Sequence, residues 1–163
     1  MRPRPWIPLF VILFATGCSP RSNGAPQPLS ADQRSAVESS VRGFLQTVAH
    51  DVTSQGPTAW EKYFSDDPAF FMANDGRLAF PNPQAATQGI EAFARTIKHI
   101  ELRWGDDLCV DVLTANLAVV GTSWSENMVD NAGHPIQESG YFTGLVENRA
   151  GRWQFRNAHW SSI

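Results

Sequence analysis

The chain has 163 residues, with 13 Lys and Arg against 16 Asp and Glu and a formal net charge of −3. That length suits one domain with a real core, and with no basic cluster in the sequence nucleic acid is a poor partner. Two cysteines far apart and four scattered histidines argue against a zinc site.

Residues 1–18 stand apart from that domain. Arg2 and Arg4 form a basic start, and an apolar run follows from Trp6 to Ala15. A bilayer span needs about 20 apolar residues, so this shorter run reads as the centre of a signal peptide. Its ending, Ala15-Thr16-Gly17-Cys18, resembles the lipobox of bacterial lipoproteins. The resemblance implies that Cys18 is diacylated and becomes the mature N-terminus, anchoring the protein to a lipid bilayer in the cell envelope. Ser19 after that cysteine implies sorting to the outer membrane where the cell has one. The alternative is an ordinary secretory signal cut nearby, or an uncleaved anchor. Loss of Arg2 and Arg4 leaves eleven basic against 16 acidic residues, a mature charge of about −5. Cys109 then has no partner for an intrachain disulfide, and its apolar flanks read as those of a small buried side chain.

Residues 19–29 hold three prolines and few large apolar side chains, a composition expected of a disordered tether. The domain is expected over 30–163. Ser30 and Gln33 form a capping box, and Val37, Val41, Phe44, Leu45 and Val48 recur at helical spacing. They predict a helix over about 31–50, closed by His50 and Asp51. Gly56-Pro57 breaks the chain, and a short helix carrying Trp60, Tyr63 and Phe64 follows. A short strand through Phe71 is turned at Asn74-Asp75-Gly76 and returns through Arg77–Phe80. A second long helix is expected from about Gly89 to His99, with Ile90, Phe93, Ala94 and Ile97 on one face.

The remainder reads as antiparallel sheet. A strand region over Leu102–Leu113 bends at Gly105. Long strands follow from Leu117 and from His134, with turns at Thr114–Asn116, Asn131–Gly133 and Arg149–Gly151. The layout is α+β. The element order, with "NDGRLAF…GIEAFARTI" in the middle and "GRWQFRNAHWSS" at the end, resembles the nuclear transport factor 2-like superfamily, in its SnoaL-like (polyketide cyclase-like) branch. The resemblance covers about residues 31–163. It implies a cone-shaped curved antiparallel sheet wrapped on two long helices and one short one, as in cystatin-like folds. The fold hosts isomerases, dehydratases, cyclases and proteins of no assigned activity, so it does not choose a function.

Strict alternation along the last strand puts Trp153, Phe155, Asn157, His159 and Ser161 on one face. By the resemblance, that face crosses the concave side, with Trp153 and Phe155 in the core and Asn157, His159 and Ser161 lining a cavity. His159 is then the first candidate for a general base, with a lining or structural imidazole as the other readings. Glu126 is the second catalytic candidate. It shares the bulky face of its strand with Ala118, Val120, Thr122, Trp124 and Met128; the alternative for it is a solvated charge at the strand end. Tyr141 could offer a phenol, and Trp60, Tyr63, Phe71, Trp104 and Trp124 could supply walls, although ordinary core packing is the better explanation of each aromatic. The steroid isomerases of this superfamily carry a catalytic Asp at the end of the first short strand. Here Phe70–Asn74 offer no carboxylate. Trp160, Leu117 and Val119 are expected to leave an apolar convex face suited to a homodimer. The function expected is binding of a small, mostly apolar ligand in the cone. One alternative is an acid–base isomerase, dehydratase or cyclase using His159 with no metal or organic cofactor; the other is a non-catalytic dimeric scaffold.

Overall fold

The computed structural model describes residues 28–163. The predicted signal segment, Cys18 and residues 19–27 of the predicted tether lie outside the described residues. Helix α1 (Ala31–Gln55) starts at the capping box: the Gln33 N–H donates to Ser30 Oγ at 3.2 Å, and the Ser30 N–H donates to Gln33 Oε1 at 2.9 Å. The helix runs past His50, because Val52 continues the buried stripe of Val41, Phe44, Leu45 and Val48. Gly56, at φ 86°, ends it, and Pro57 opens a 3-10 helix (Pro57–Lys62).

Strands β1 (Phe71–Asn74) and β2 (Arg77–Phe80) form a hairpin around Asp75 and Gly76, whose φ values of 47° and 73° suit a two-residue turn. Helix α2 (Pro83–Ala94) begins six residues before the expected Gly89 and ends before Ile97. Asn82 accounts for the start: its Oδ1 accepts from the Ala85 N–H at 2.9 Å, with Pro83 in the first turn. Ile97 instead opens β3 (Ile97–Trp104), where period-two burial replaces the helical stripe.

Beyond β3 lie β4 (Cys109–Thr114), β5 (Leu117–Asp130), β6 (Pro135–Arg149) and β7 (Arg152–Ser162). The sheet is curved and unclosed, in the order β2-β1-β7-β6-β5-β3, and β4 continues the β3 edge along the other half of β5. At Gly105, where a bend is expected, the chain breaks between β3 and β4. There the Asp107 carboxylate accepts from the Ser123 N–H and Oγ, both at 2.8 Å, bonds that hold its carboxyl below the usual range. Cys109 is exposed at the start of β4, contrary to expectation. On β5 the residues Ala118, Val120, Thr122, Trp124 and Met128 are buried, and this is the concave face.

One irregularity governs everything beyond it. β6 and β7 pair in register until Leu145 lies opposite Asn157, and then Val146 lies opposite Phe155, which leaves Arg156 as an extra residue. The neighbour on the other edge of β7 changes at the same place. Phe155 bonds with the segment after the 3-10 helix: its N–H donates to Tyr63 O at 2.7 Å and its O accepts from the Ser65 N–H at 2.9 Å. From Asn157 onward the parallel partner is β1. Alternation restarts after the bulge, so the inward residues are Trp153 and Phe155, then Ala158 and Trp160.

Candidate functional site

The bulge moves the expected site residues. His159 is exposed on the outer face, between Ala73 of β1 and Thr143 of β6. Asn157 and Ser161 share that face: Asn157 Nδ2 donates to Ala69 O at 3.3 Å, and Ser161 Oγ donates to Tyr141 O at 3.1 Å. None of the three lines the cavity on the concave face, because the extra residue Arg156 has shifted their parity by one. Trp160 takes the interior position and is 8% exposed, so it does not contribute to an apolar convex face.

The other expected residues divide. Tyr141 is 44% exposed and points outward, because its neighbour Phe142 occupies the core. Phe71 is 47% exposed, and Phe70 is the buried ring of that pair. Tyr63 is buried but away from the site: its hydroxyl donates to Asp51 at 2.7 Å, and burial and that carboxylate both push its pKa up. Trp104 packs behind the site, stacked at 5.6 Å on Trp160, with its indole N–H donating to Leu45 O at 2.8 Å. Trp60, Trp124 and Glu126 do line the cavity.

That cavity has a volume of about 290 Å³ at the open end of the concave face. Its floor is built from Trp60, Trp124 and Trp160, and the Trp160 ring stands nearly perpendicular to both others, at 5.5 and 5.0 Å. Phe80 on β2 and Phe93 on α2 close its sides. Gly89 on α2 belongs to the same wall. A Cβ there would come within 2.2 Å of the Phe80 ring, so the glycine lets helix and hairpin approach. Asp75 ties the hairpin to the end of β7, its carboxylate accepting from the Ser162 N–H at 2.7 Å and the Ser162 hydroxyl at 3.2 Å.

The polar end carries Glu126 and Glu138, directly opposite each other on β5 and β6, with Asn74 and Ser162 nearby on the lining. Glu126 is half-buried, and burial pushes its carboxyl up to about 7; the Glu138 carboxylate adds to the shift. No described residue donates a hydrogen bond to it. Trp124 is 5% exposed and its indole N–H has no acceptor among the described residues. Among the described residues no cluster of three or more His, Cys, Asp or Glu is placed to hold a metal ion. Chemically, the arrangement can enclose a small apolar body and present to it a carboxyl that is half ionised near neutrality.

Sequence reasoning missed Trp160, Glu138, Met72, Asn74 and Phe80. Counting back from the Asn131–Gly133 turn would have set Glu138 opposite Glu126. For Trp160 the signal is a missing residue of register, which a strand's composition does not announce.

No protein-family model and no curated protein matches the chain. Solved structures do match. A nuclear transport factor 2-like superfamily protein from Salmonella enterica superposes with a TM-score of 0.65 at 14% identity, over 77% of this chain and 89% of the other. A proposed scytalone dehydratase from Novosphingobium aromaticivorans gives 0.71 at 11% identity, over 82% and 89%. The hexachlorocyclohexane dehydrochlorinase LinA type 2 gives 0.63 at 14%, over 80% and 87%. The chain therefore has the nuclear transport factor 2-like fold, an α+β architecture that hosts both ligand binders and cofactor-independent enzymes.

Proposed function

We propose that this domain binds a small, mostly apolar molecule in the cavity between β5, β7, α2 and the β1–β2 hairpin. The observation that carries this reading is the cavity itself: about 290 Å³, floored by three indoles and finished at one end by carboxyls. Apolar walls with a few convergent polar groups are what small-molecule recognition requires. The sequence of residues 1–18 supports a lipid anchor at Cys18, which would hold the domain at an envelope membrane. Native mass spectrometry of protein purified from its own host tests the binding reading. A co-purifying small molecule that is lost in Trp160→Ala is the expected result; an empty chain whose cavity also takes up no added aromatic probe would overturn it. Metabolic labelling with palmitate, abolished by Cys18→Ser, tests the anchor.

One observation favours a second reading, an acid–base enzyme. Glu126, held near 7, has both protonation states available at neutral pH and faces the cavity. A dehydratase and a dehydrochlorinase among the structural neighbours remove water or hydrogen chloride, reactions that use a base. In this reading Glu126 replaces the mispositioned His159. Turnover lost in Glu126→Gln but retained in His159→Ala is the expected pattern.

A further inference from the structure

The polar end of the cavity has a feature that an apolar ligand leaves unanswered. Glu126 and Glu138 face each other across β5 and β6, and like charges directly opposite in an antiparallel pair are destabilising. Of the cavity-lining residues among those described, none is Lys, Arg or His. β3 offers Leu102 opposite Glu126, and the lining residues of α2, β1, β2 and β7 are uncharged. Glu138 is therefore the charged group that faces Glu126, and it has the same sign. The floor beside them is three indole rings, whose faces attract cations.

We propose that the occupant of this cavity carries a positive charge: a small aromatic or alicyclic amine or quaternary ammonium whose apolar body rests on Trp60, Trp124 and Trp160 and whose charge lies beside Glu126 and Glu138. Such a ligand relieves the carboxylate repulsion that a neutral ligand leaves and an anion worsens. The inference rests on the proposed binding function of the same cavity and adds the chemical class. It also carries a pH sense. The elevated Glu126 carboxyl is ionised above about 7 and neutral below it, so cation affinity rises with pH while neutral affinity does not.

The test uses the full chain and its intrinsic fluorescence, since three of its six tryptophans floor the cavity. The probes are benzyltrimethylammonium, its uncharged isostere neopentylbenzene, and phenylacetate. At pH 8 the ammonium is expected to bind about tenfold or more tighter than the isostere, with phenylacetate weakest. The preference should shrink at pH 5.5. Glu126→Gln and Glu138→Gln, each with a cooperative melt showing that it is folded, should reduce the preference of the ammonium over the isostere. Equal or tighter binding of the isostere at pH 8, or an unchanged preference in both variants, overturns the charge assignment and leaves the cavity-binding reading intact. Failure of all three probes to bind overturns both.

Discussion

The concave face of the sheet has two ends built on the same three strands, and they differ in what fills them. At one end α1 lies against the sheet: Phe44 meets the Phe155 ring at 5.0 Å, Phe142 meets it at 5.3 Å, and Val120, Val146 and Phe155 are wholly buried. At the other, α2 packs on the 3-10 helix that carries Trp60, and α2 and the hairpin leave a hollow over Trp124 and Trp160. The closed end is packed by a helix with a continuous apolar stripe. The open end faces a shorter helix with a glycine in its wall and carboxyls on the strands. The comparison shows where stability resides and where the fold gives some of it up. A stretch of core is exchanged for a cavity, and a tolerated carboxylate pair marks its mouth.

The strongest way to break the contrast is to insert one alanine between Asn157 and Ala158. With the bulge kept at Arg156, the added residue takes the inward place of Ala158, turns His159 and Ser161 inward and sends Trp160 out, since strand parity is two. The closed end, before the bulge, would keep its pattern. We expect loss of the cooperative thermal transition; an insertion variant that still melts cooperatively would show that the register is held by something other than β7. Next in size is Phe155→Ala at the closed end, expected to cost about 3–5 kcal/mol in urea unfolding, the usual cost of truncating a buried aromatic. Trp160→Ala at the open end should cost less, because one side of its ring already borders the hollow, and should remove ligand binding.

These two substitutions also show what the sequence could reveal. The α+β layout, the hairpin turns and the inward face of β5 follow from local signals: apolar spacing, turns that end on Gly76, Gly133 and Gly151, and Trp124 alternating with polar neighbours. The β7 face could be read only up to Phe155. Beyond it, the bulge depends on a change of neighbour, from the segment at Tyr63–Ser65 to β1, and that is a tertiary event. For the same reason the reading favoured His159, an attractive imidazole on the wrong face, over Glu126, whose parity no irregularity disturbs. The start of α2 escaped for a simpler reason: Asn82 and Pro83 look like a loop but serve as cap and first turn.

Glu126→Gln sharpens the comparison from the open end. A carboxyl whose folded pKa lies above its ordinary 4.5 opposes folding once it ionises, so stability falls as pH rises from about 4.5 through about 7. The amide should remove that loss. We expect Glu126→Gln to be more stable than the parent at pH 8 by about 1–2 kcal/mol, and little changed at pH 4. Melts at both pH values check it; equal differences at the two would mean that the carboxyl titrates normally. Gly89→Ala is smaller. The obstructing atoms belong to the Phe80 side chain, which can rotate toward the cavity, so a loss of about 1 kcal/mol is expected together with weaker ligand binding.

The smallest effect is predicted for the residue that the sequence singled out. The His159 ring lies exposed on the outer face, and its inward neighbours on β7, Ala158 and Trp160, hold the strand without it. Exposed substitutions away from caps, turns and ion pairs shift stability by about 0.5 kcal/mol or less. His159→Ala should therefore melt like the parent, and its binding of benzyltrimethylammonium should be unchanged within a factor of about two. The paired measurement is Trp160→Phe, one residue along, which keeps a ring in the floor but narrows it and should weaken that binding several-fold. If His159→Ala is the more damaging of the two, the bulge at Arg156 is misplaced and the inward face of β7 is the one that unbroken alternation from Trp153 describes.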